Sequence, residues 1–168
     1  WLHAPIGVGF LSVRKDRIKN LWPMMAADAK QDEDIRKYEQ IGTHPQANFN
    51  AVSVALTFHR GIGVERKAAR LRYLRDHWAK ALMDASDRVS VPTELGPEKG
   101  GAIALLHVEG LDTAKLGNWL MGRYRIVNTP IVHEEFNGLR ITPNIYTSMD
   151  ELDTFVDAVK VALRRGIA

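Results

Sequence analysis

The chain has 168 residues and 45% of them are hydrophobic, values that suit one globular domain or one domain with part of another. Its net charge of +3 is too small to indicate a nucleic-acid-binding protein. It has no cysteine, which excludes disulfides, thiolate metal sites and a cysteine nucleophile. No apolar run approaches the ~18 residues that a membrane-spanning helix requires.

The first part of the chain predicts one strand, one short helix, a loop and one longer helix. The strand is an apolar run with two glycines, which is typical of a buried strand. Proline ends the short helix and lies in the first turn of the longer one, two positions that suit its fixed backbone. Two glycines then end the longer helix. These elements are Ile6–Val13, Arg14–Trp22, residues 24–34 and Pro45–Phe58, followed by Gly61 and Gly63.

A long amphipathic helix is predicted for Arg66–Ala85, with Leu71, Leu74 and Trp78 on one face. The same helix carries a modest cluster of basic residues between Arg66 and Arg75. A solvated helix face explains this cluster, and a weak nucleic-acid-binding surface is the alternative interpretation.

Short strands and helices alternate in the rest of the chain. Asp112 is placed to cap one helix, and Ser148 with Glu151 forms a capping box at the start of the last helix. This mixture predicts an α+β layer, in which helices cover one face of a short sheet. The predicted strands are Arg88–Val91, Ala102–Val108, Ile126–Val127 and Leu139–Thr142.

Two short segments carry candidate binding groups. Gly42 and Thr43 precede a predicted helix, where free N–H groups and a partial positive charge suit a phosphate. An ordinary helix cap is the alternative for this segment. Arg140 lies on a short apolar strand, before a turn and a capped helix. Its planar fork suits a carboxylate, either of a ligand or of a structural acidic residue.

The histidines form no metal-binding pattern. The chain has six of them, none in an H-x-x-x-H spacing, and without cysteine no zinc site is predicted. His3 is interpreted either as a residue that lines an active site or as part of a local structural hydrogen bond. His133 precedes two glutamates in a predicted polar loop ahead of Arg140.

Both ends of the chain resemble one family. Residues 138–153 read GLRITPNIYTSMDELD and resemble the carboxylate-arginine segment of class V aminotransferases, which are fold-type I enzymes that use pyridoxal 5'-phosphate (PLP). Residues 1–11 read WLHAPIGVGFL and resemble the stretch that directly follows the cofactor lysine in that family. The segments 1–10 and 130–146 look most like the isopenicillin N epimerase-like branch. The resemblance covers essentially the whole chain and implies the C-terminal half of such an α/β enzyme.

The resemblance also implies a domain division and several roles. Residues 1–63 would form the end of the large PLP-binding domain with an interface helix, and residues 64–168 the small C-terminal α+β domain. Gly42 and Thr43 would contribute to the PLP phosphate site of the neighbouring subunit in a homodimer. Arg140 would hold the carboxylate of a small amino-acid substrate, and His133 would lie in a loop that borders that substrate.

The same resemblance places the Schiff-base lysine just upstream of Trp1. No catalytic residue is therefore expected within the chain, and the isolated fragment is expected to be inactive. The intact enzyme would be an aminotransferase, an epimerase or a lyase. Desulfuration through a persulfide is not expected, because the loop 126–138 that would carry the necessary cysteine has none.

Two alternatives from other functional classes stay open. One is a non-catalytic α/β interaction domain that shares the fold, and the other is a weak nucleic-acid-binding domain. On the family interpretation, neither nucleic acid, a membrane nor a metal is an expected partner. No segment of the sequence reads as a targeting signal, and the cytoplasm is the default expectation for the compartment.

Overall fold

A computed structural model describes residues 1–39 and 42–167 of the chain. The chain forms two units, unit 1 (Trp1–Gly61) and unit 2 (Ile62–Ala168). The predicted division at residues 63 and 64 concerns the domains of a whole enzyme, and it stays a prediction.

Unit 1 is mostly irregular up to its one long helix. The predicted strand Ile6–Val13 is wrong: residues 8–14 have no regular structure, and Phe10 is 72% exposed. A strand needs a neighbour for its N–H and C=O groups, and none of the described residues pairs with this segment. The predicted helix Arg14–Trp22 is present as a short 3-10 helix. The 3-10 helices are Lys15–Asn20, Ala29–Gln31 and Ile35–Tyr38, and helix α1 is Gln46–Ile62.

Helix α1 is longer than predicted, because it continues through Gly61. It ends at Ile62, just before Gly63, which has a φ of +86° that other residues rarely adopt. Gly61 therefore lies within the helix, and Gly63 separates this helix from the one that begins at Val64.

Unit 2 contains a four-stranded sheet with the order β1-β2-β4-β3, in which every neighbouring pair is antiparallel. The predicted strand Ile126–Val127 is wrong, and the strand begins at Thr129 instead. The Asn128 side chain explains this shift, since it donates to the carbonyls of Gly117 and Ile126 and holds the segment against a helix. The strands are β1 Val89–Ser90, β2 Ala104–Val108, β3 Thr129–Val132 and β4 Asn137–Ile141.

Three helices cover one face of this sheet, as the predicted α+β layer requires. They are α2 Val64–Met83, α3 Thr113–Tyr124 and α4 Met149–Arg165. Trp78 of α2 is fully buried, with its ring edge-on to Phe155 of α4 at 5.8 Å between centroids. The largest apolar side chains of the core are Leu74, Trp78, Leu82, Leu106, Leu116, Leu120, Leu139, Ile141, Leu152 and Phe155.

Side-chain caps begin two of these helices, and both predictions are confirmed. The Asp112 carboxylate accepts from the Lys115 backbone N–H at 2.8 Å at the start of α3. At the start of α4, Ser148 and Glu151 each accept from the other's backbone N–H. Each cap satisfies N–H groups that have no partner within the helix.

Three of the four arginines of α2 bind backbone carbonyls of unit 2, so the predicted solvated face is only part of their role. Arg75 is fully buried and donates to Asp76 at 2.7 Å. Arg70 donates to the Thr147 carbonyl, and Arg72 to a carbonyl in the loop before β2. The carbonyls of that loop that accept from Arg75 belong to Gly96, Lys99 and Gly101, at 2.6–3.1 Å.

Candidate functional site

Arg140 lies on β4, on the sheet face opposite the helices. Leu139 and Ile141 are buried in the core, and side chains alternate along a strand, so Arg140 projects from the other face. Its cross-strand neighbours are Leu105 on β2 and Thr129 on β3. The Arg140 Nη2 atom lies 3.4 Å from the Thr129 hydroxyl.

The Arg140 guanidinium is exposed and has no acidic partner among the described residues. The alternative interpretation, a structural ion pair, therefore has no carboxylate among the described residues. A guanidinium in this state can form two parallel hydrogen bonds with an external carboxylate.

The position of Arg140 depends on the register of β4. Gly138 fixes that register closely, because a Cβ atom at this position would overlap the carbonyl oxygen of Leu106 on β2. Only glycine lets the two strands approach at this point, two residues before Arg140.

The turn after β4 is held by hydrogen bonds of its own residues. The Asn144 carbonyl accepts from the Thr147 N–H at 2.8 Å, and the Thr147 hydroxyl accepts from the Asn144 N–H at 3.0 Å. A cleft of about 440 Å³ lies between this turn and the end of α3. Arg140 does not line it, and its walls include Tyr124, Arg125, Thr142, Pro143, Tyr146 and Phe155.

Gly42 and Thr43 lie in unit 1, just before α1, and both are exposed. Gly42 has a φ of +92°, and no atom lies within 4 Å of the place where a Cβ would be. The Thr43 hydroxyl has no hydrogen-bond partner among the described residues. The segment thus offers a hydroxyl and backbone N–H groups to an external acceptor, near the positive end of a long helix.

His44 adjoins this segment and bonds to it. Its Nδ1 atom lies 2.9 Å from the Gly42 carbonyl oxygen, and its Nε2 atom 3.3 Å from the Gln46 side-chain nitrogen. The imidazole also lies edge-on to the Phe49 ring, at 4.4 Å between centroids. No sequence pattern marks His44 as a partner of this segment.

A cavity of about 840 Å³ lies beside His44, with Phe10, Arg36 and Phe49 among its lining residues. The Arg36 guanidinium donates from Nε to the Asp34 carboxylate at 2.8 Å and lowers the pKa of that carboxyl below its usual value. Arg36 is therefore already paired with an anion of the protein.

His3 and His133 lie in different units. His3 has a φ of +62°, and its ring is edge-on to Phe58 and 5.5 Å from the ring of His59. His59 Nε2 in turn lies 2.7 Å from the Leu2 carbonyl oxygen, so α1 contacts the segment that carries His3. His133 lies in the turn between β3 and β4, where it is exposed and stacks on Phe136 at 4.7 Å.

Some neighbours of the candidate groups have no signal in the sequence. Thr129 is a neighbour of Arg140 only because β3 pairs with β4, and the sequence does not specify that pairing. The bonds from His44 and His59 join residues to backbone carbonyls, which no residue pattern marks. Among the described residues, no cluster of acidic and histidine side chains is placed to hold a metal, and no helix is long and apolar enough to cross a membrane.

Comparison with known proteins identifies relatives and a shared fold. Isopenicillin N epimerase of Streptomyces clavuligerus is 29% identical over 175 residues, which cover 95% of this chain and 44% of the epimerase. A Mycobacterium tuberculosis protein named "Probable hercynylcysteine sulfoxide lyase" is 31% identical over 171 residues, 96% of this chain and 42% of that protein. The solved structure of a C-DES mutant with glycine covalently linked to its PLP cofactor matches with a TM-score of 0.74 at 16% identity, over 95% of this chain and 43% of that one. No family model matches the chain.

The chain is homologous to class V, fold-type I enzymes that depend on PLP. It corresponds to the C-terminal part of these enzymes, and it spans 42–44% of the length of the curated relatives that it matches. The predicted family and fold class are confirmed. The roles predicted for Gly42, Thr43, Arg140, His3 and His133 stay predictions.

The residues before α1 fit one part of PLP, its phosphate. A phosphate needs several hydrogen-bond donors and room for its oxygens. Gly42 leaves open space in place of a side chain, and Thr43 presents its hydroxyl to solvent. No acidic side chain forms an ion pair or hydrogen bond with these two residues among those described, so the segment is compatible with an anion.

Proposed function

We propose that the full-length protein is a PLP-dependent enzyme that acts on a small amino acid, as an aminotransferase, an epimerase or a lyase. The names of the relatives, an epimerase and a lyase, support this range of reactions. The observation that carries the proposal is the exposed guanidinium of Arg140, which has no acidic partner among the described residues. The proposal assigns catalysis to the full-length protein and none to the isolated chain.

In this proposal Arg140 binds the α-carboxylate of the substrate. The strand holds its backbone, and Thr129 contacts one of its terminal nitrogens. A two-pronged bond from a fixed guanidinium orients the substrate, and orientation lowers the barrier because less freedom is lost at the reacting step. When bound, PLP supplies an electron sink for negative charge at the substrate α-carbon.

Gly42 and Thr43 bind the cofactor phosphate in the same proposal. We place this contact across the interface of a homodimer, so that each subunit contributes the segment to its partner's site. The open space at Gly42 and the exposed Thr43 hydroxyl support a contact with a group outside the unit that carries them.

Replacement of Arg140 tests the proposal. In the full-length protein, Arg140→Ala should lower kcat/KM by at least about thirtyfold, because loss of one partner of a desolvated charge pair costs about 2–5 kcal/mol. Arg140→Lys should restore only part of this loss, since an ammonium cannot form the two parallel bonds. PLP affinity should stay unchanged in both variants, because Arg140 binds the substrate alone.

Arg123→Ala is the matched control, since Arg123 is an exposed arginine on α3 that forms no ion pair among the described residues. It should leave kcat/KM unchanged. The proposal fails if Arg140→Ala keeps the KM of the wild-type protein and lowers only its thermal stability. That result would favour a structural role for Arg140 instead.

We favour the enzyme proposal over the nucleic-acid alternative. Arg70, Arg72 and Arg75 of the basic cluster all donate to backbone carbonyls of the chain itself. A phosphate backbone would have to compete with these internal bonds, so we do not carry this function further.

A further inference from the structure

We infer that His44 is a positioning residue for the phosphate-binding segment Gly42-Thr43. It acts by holding the Gly42 carbonyl, and it need not touch the cofactor. The inference rests on the proposed function, because it assigns a second residue to the same phosphate site.

The hydrogen bonds of His44 indicate which of its ring nitrogens donates and which accepts. A carbonyl oxygen can only accept, so the Nδ1 atom that lies 2.9 Å from the Gly42 oxygen carries the hydrogen. In neutral imidazole the other nitrogen is then an acceptor, and the Gln46 side chain provides a donor at 3.3 Å. Both nitrogens are therefore used within the segment that joins Gly42 to the first turn of α1.

Phe49 supports the plane of the ring. It lies on α1, with its ring centroid 4.4 Å from that of His44 and the two planes at 67°. Edge-to-face contacts of this kind are favourable for aromatic rings. The imidazole is thus held from the helix side while its Nδ1–H faces the preceding loop.

A restraint on Gly42 matters because glycine has the largest conformational freedom of all residues. The backbone at Gly42, with a φ of +92°, can rotate at little steric cost when nothing holds its carbonyl. Such rotation would change the direction of the donors at Thr43. A fixed carbonyl lowers the entropy that phosphate binding would otherwise have to remove.

The geometry of the peptide bond transmits this restraint to Thr43. In a trans peptide the carbonyl of one residue and the N–H of the next point in opposite directions. When His44 holds the Gly42 carbonyl, the Thr43 N–H must point away from the imidazole. The exposed Thr43 can then offer its N–H and its hydroxyl in a defined direction.

Two variants separate the hydrogen bond of His44 from the packing of its ring. His44→Asn keeps a donor nitrogen at the position of Nδ1 and removes the ring. His44→Phe keeps a ring against Phe49 and removes the donor. Each is made in the full-length protein, and PLP affinity is measured by titration of the apo protein and followed by absorbance, with thermal unfolding measured in parallel.

We expect His44→Phe to bind PLP about two- to tenfold more weakly, the range for one lost neutral hydrogen bond. His44→Asn should stay within about twofold of the wild type, because its amide can donate to the same carbonyl. Rescue by asparagine is the decisive result, since a role in packing alone would not produce it. The inference is overturned if His44→Phe binds PLP normally, or if His44→Asn binds PLP as weakly as His44→Phe does.

Thr43→Ala distinguishes failure of this inference from failure of the proposed phosphate site. It should weaken PLP binding by about tenfold or more, because it removes a hydrogen bond to a charged group. Unchanged affinity in Thr43→Ala would overturn the phosphate site itself, and the role of His44 with it. Weakened binding in Thr43→Ala together with normal binding in His44→Phe would overturn only the role of His44.

Discussion

The two units of the chain differ in how far they bury their apolar side chains. In unit 2 the sheet and three helices enclose a continuous core, in which Trp78 and Leu106 are almost wholly buried. In unit 1, Ile18 and Ala55 are the buried hydrophobic residues among those described, whereas Trp22 is 91% exposed. Two tryptophans, one in each unit, thus differ in burial. A side chain is buried where its own unit supplies elements that pack against it.

This difference shows where a sequence pattern is a reliable guide. Apolar periodicity marks a surface that must be covered, but it does not say what covers it. In unit 2 the covering elements belong to the same unit, and the predicted face of α2 is buried against α4 and the sheet. In unit 1 the run Ile6–Val13 finds no pairing strand among the described residues and stays irregular.

The largest expected effect compares a buried and an exposed tryptophan. Trp78→Ala should lower the free energy of unfolding by about 3–5 kcal/mol, because it removes a large buried side chain and leaves a cavity beside Phe155. Trp22→Ala, the matched control in unit 1, should change it by less than about 0.5 kcal/mol. Urea unfolding followed by far-UV circular dichroism measures both, and equal losses would contradict the contrast between the units.

Local signals in the sequence predicted much of unit 2 because they act within a few residues. The caps at Asp112 and Ser148 each bind the N–H group three positions further on, so their patterns are visible in the chain. The start of β3 was missed because the Asn128 side chain binds the Gly117 carbonyl, a contact between residues 11 apart. Such contacts exist only once the fold has formed.

The candidate site likewise has features that adjacent residues predict and features that depend on the folded structure. The strand, turn and capped helix around Arg140 were predicted from adjacent residues, and the exposed state of its guanidinium follows from the alternation of β4. Its neighbour Thr129 depends on the register of β3 with β4. Its other neighbour, Leu105, depends on the register of β2 with β4, which Gly138 fixes through a close approach to Leu106. The positioning role that we infer for His44 depends on a hydrogen bond to the Gly42 carbonyl, and the residue type alone does not reveal that bond.

A smaller effect is expected from the arginine that organises the loop before β2. Arg75→Ala should cost about 3 kcal/mol, the lower end of the range for breaking a buried pair, because water can reach part of the loop after it relaxes. It leaves Asp76 and the carbonyls of Gly96 and Lys99 without their donor. This loss would show that unit 2 depends on buried polar contacts as well as on its apolar core.

Arg72→Ala is the matched control for Arg75, since Arg72 is only half-buried and gives the same loop one hydrogen bond of 3.2 Å. It should cost no more than about 1 kcal/mol. Urea unfolding gives the two free energies, and limited proteolysis should cut the loop faster in the Arg75 variant alone. Equal protease resistance of the two variants would show that the buried guanidinium does not hold the loop.

The smallest effect compares two glycines of one helix. Gly117 of α3 faces β3 and β4, and a Cβ there would lie 2.7 Å from the Asn128 side-chain oxygen and 2.8 Å from the Pro130 ring. Gly117→Ala should therefore cost about 1–3 kcal/mol, as overpacking does in a well-filled interior. Gly122, one turn further on, has no atom within 4 Å of its would-be Cβ.

Gly122→Ala should instead stabilise the protein by up to about 1 kcal/mol, because alanine loses less backbone entropy in a helix than glycine does. The two changes are chemically identical and lie in the same helix, so helix propensity contributes a similar gain to both. The difference between their unfolding free energies therefore measures the packing of α3 against the sheet. If both variants were stabilised equally, α3 would not pack on β3 and β4 as closely as the structure requires, and the contrast of unit 2 with unit 1 would weaken at this contact.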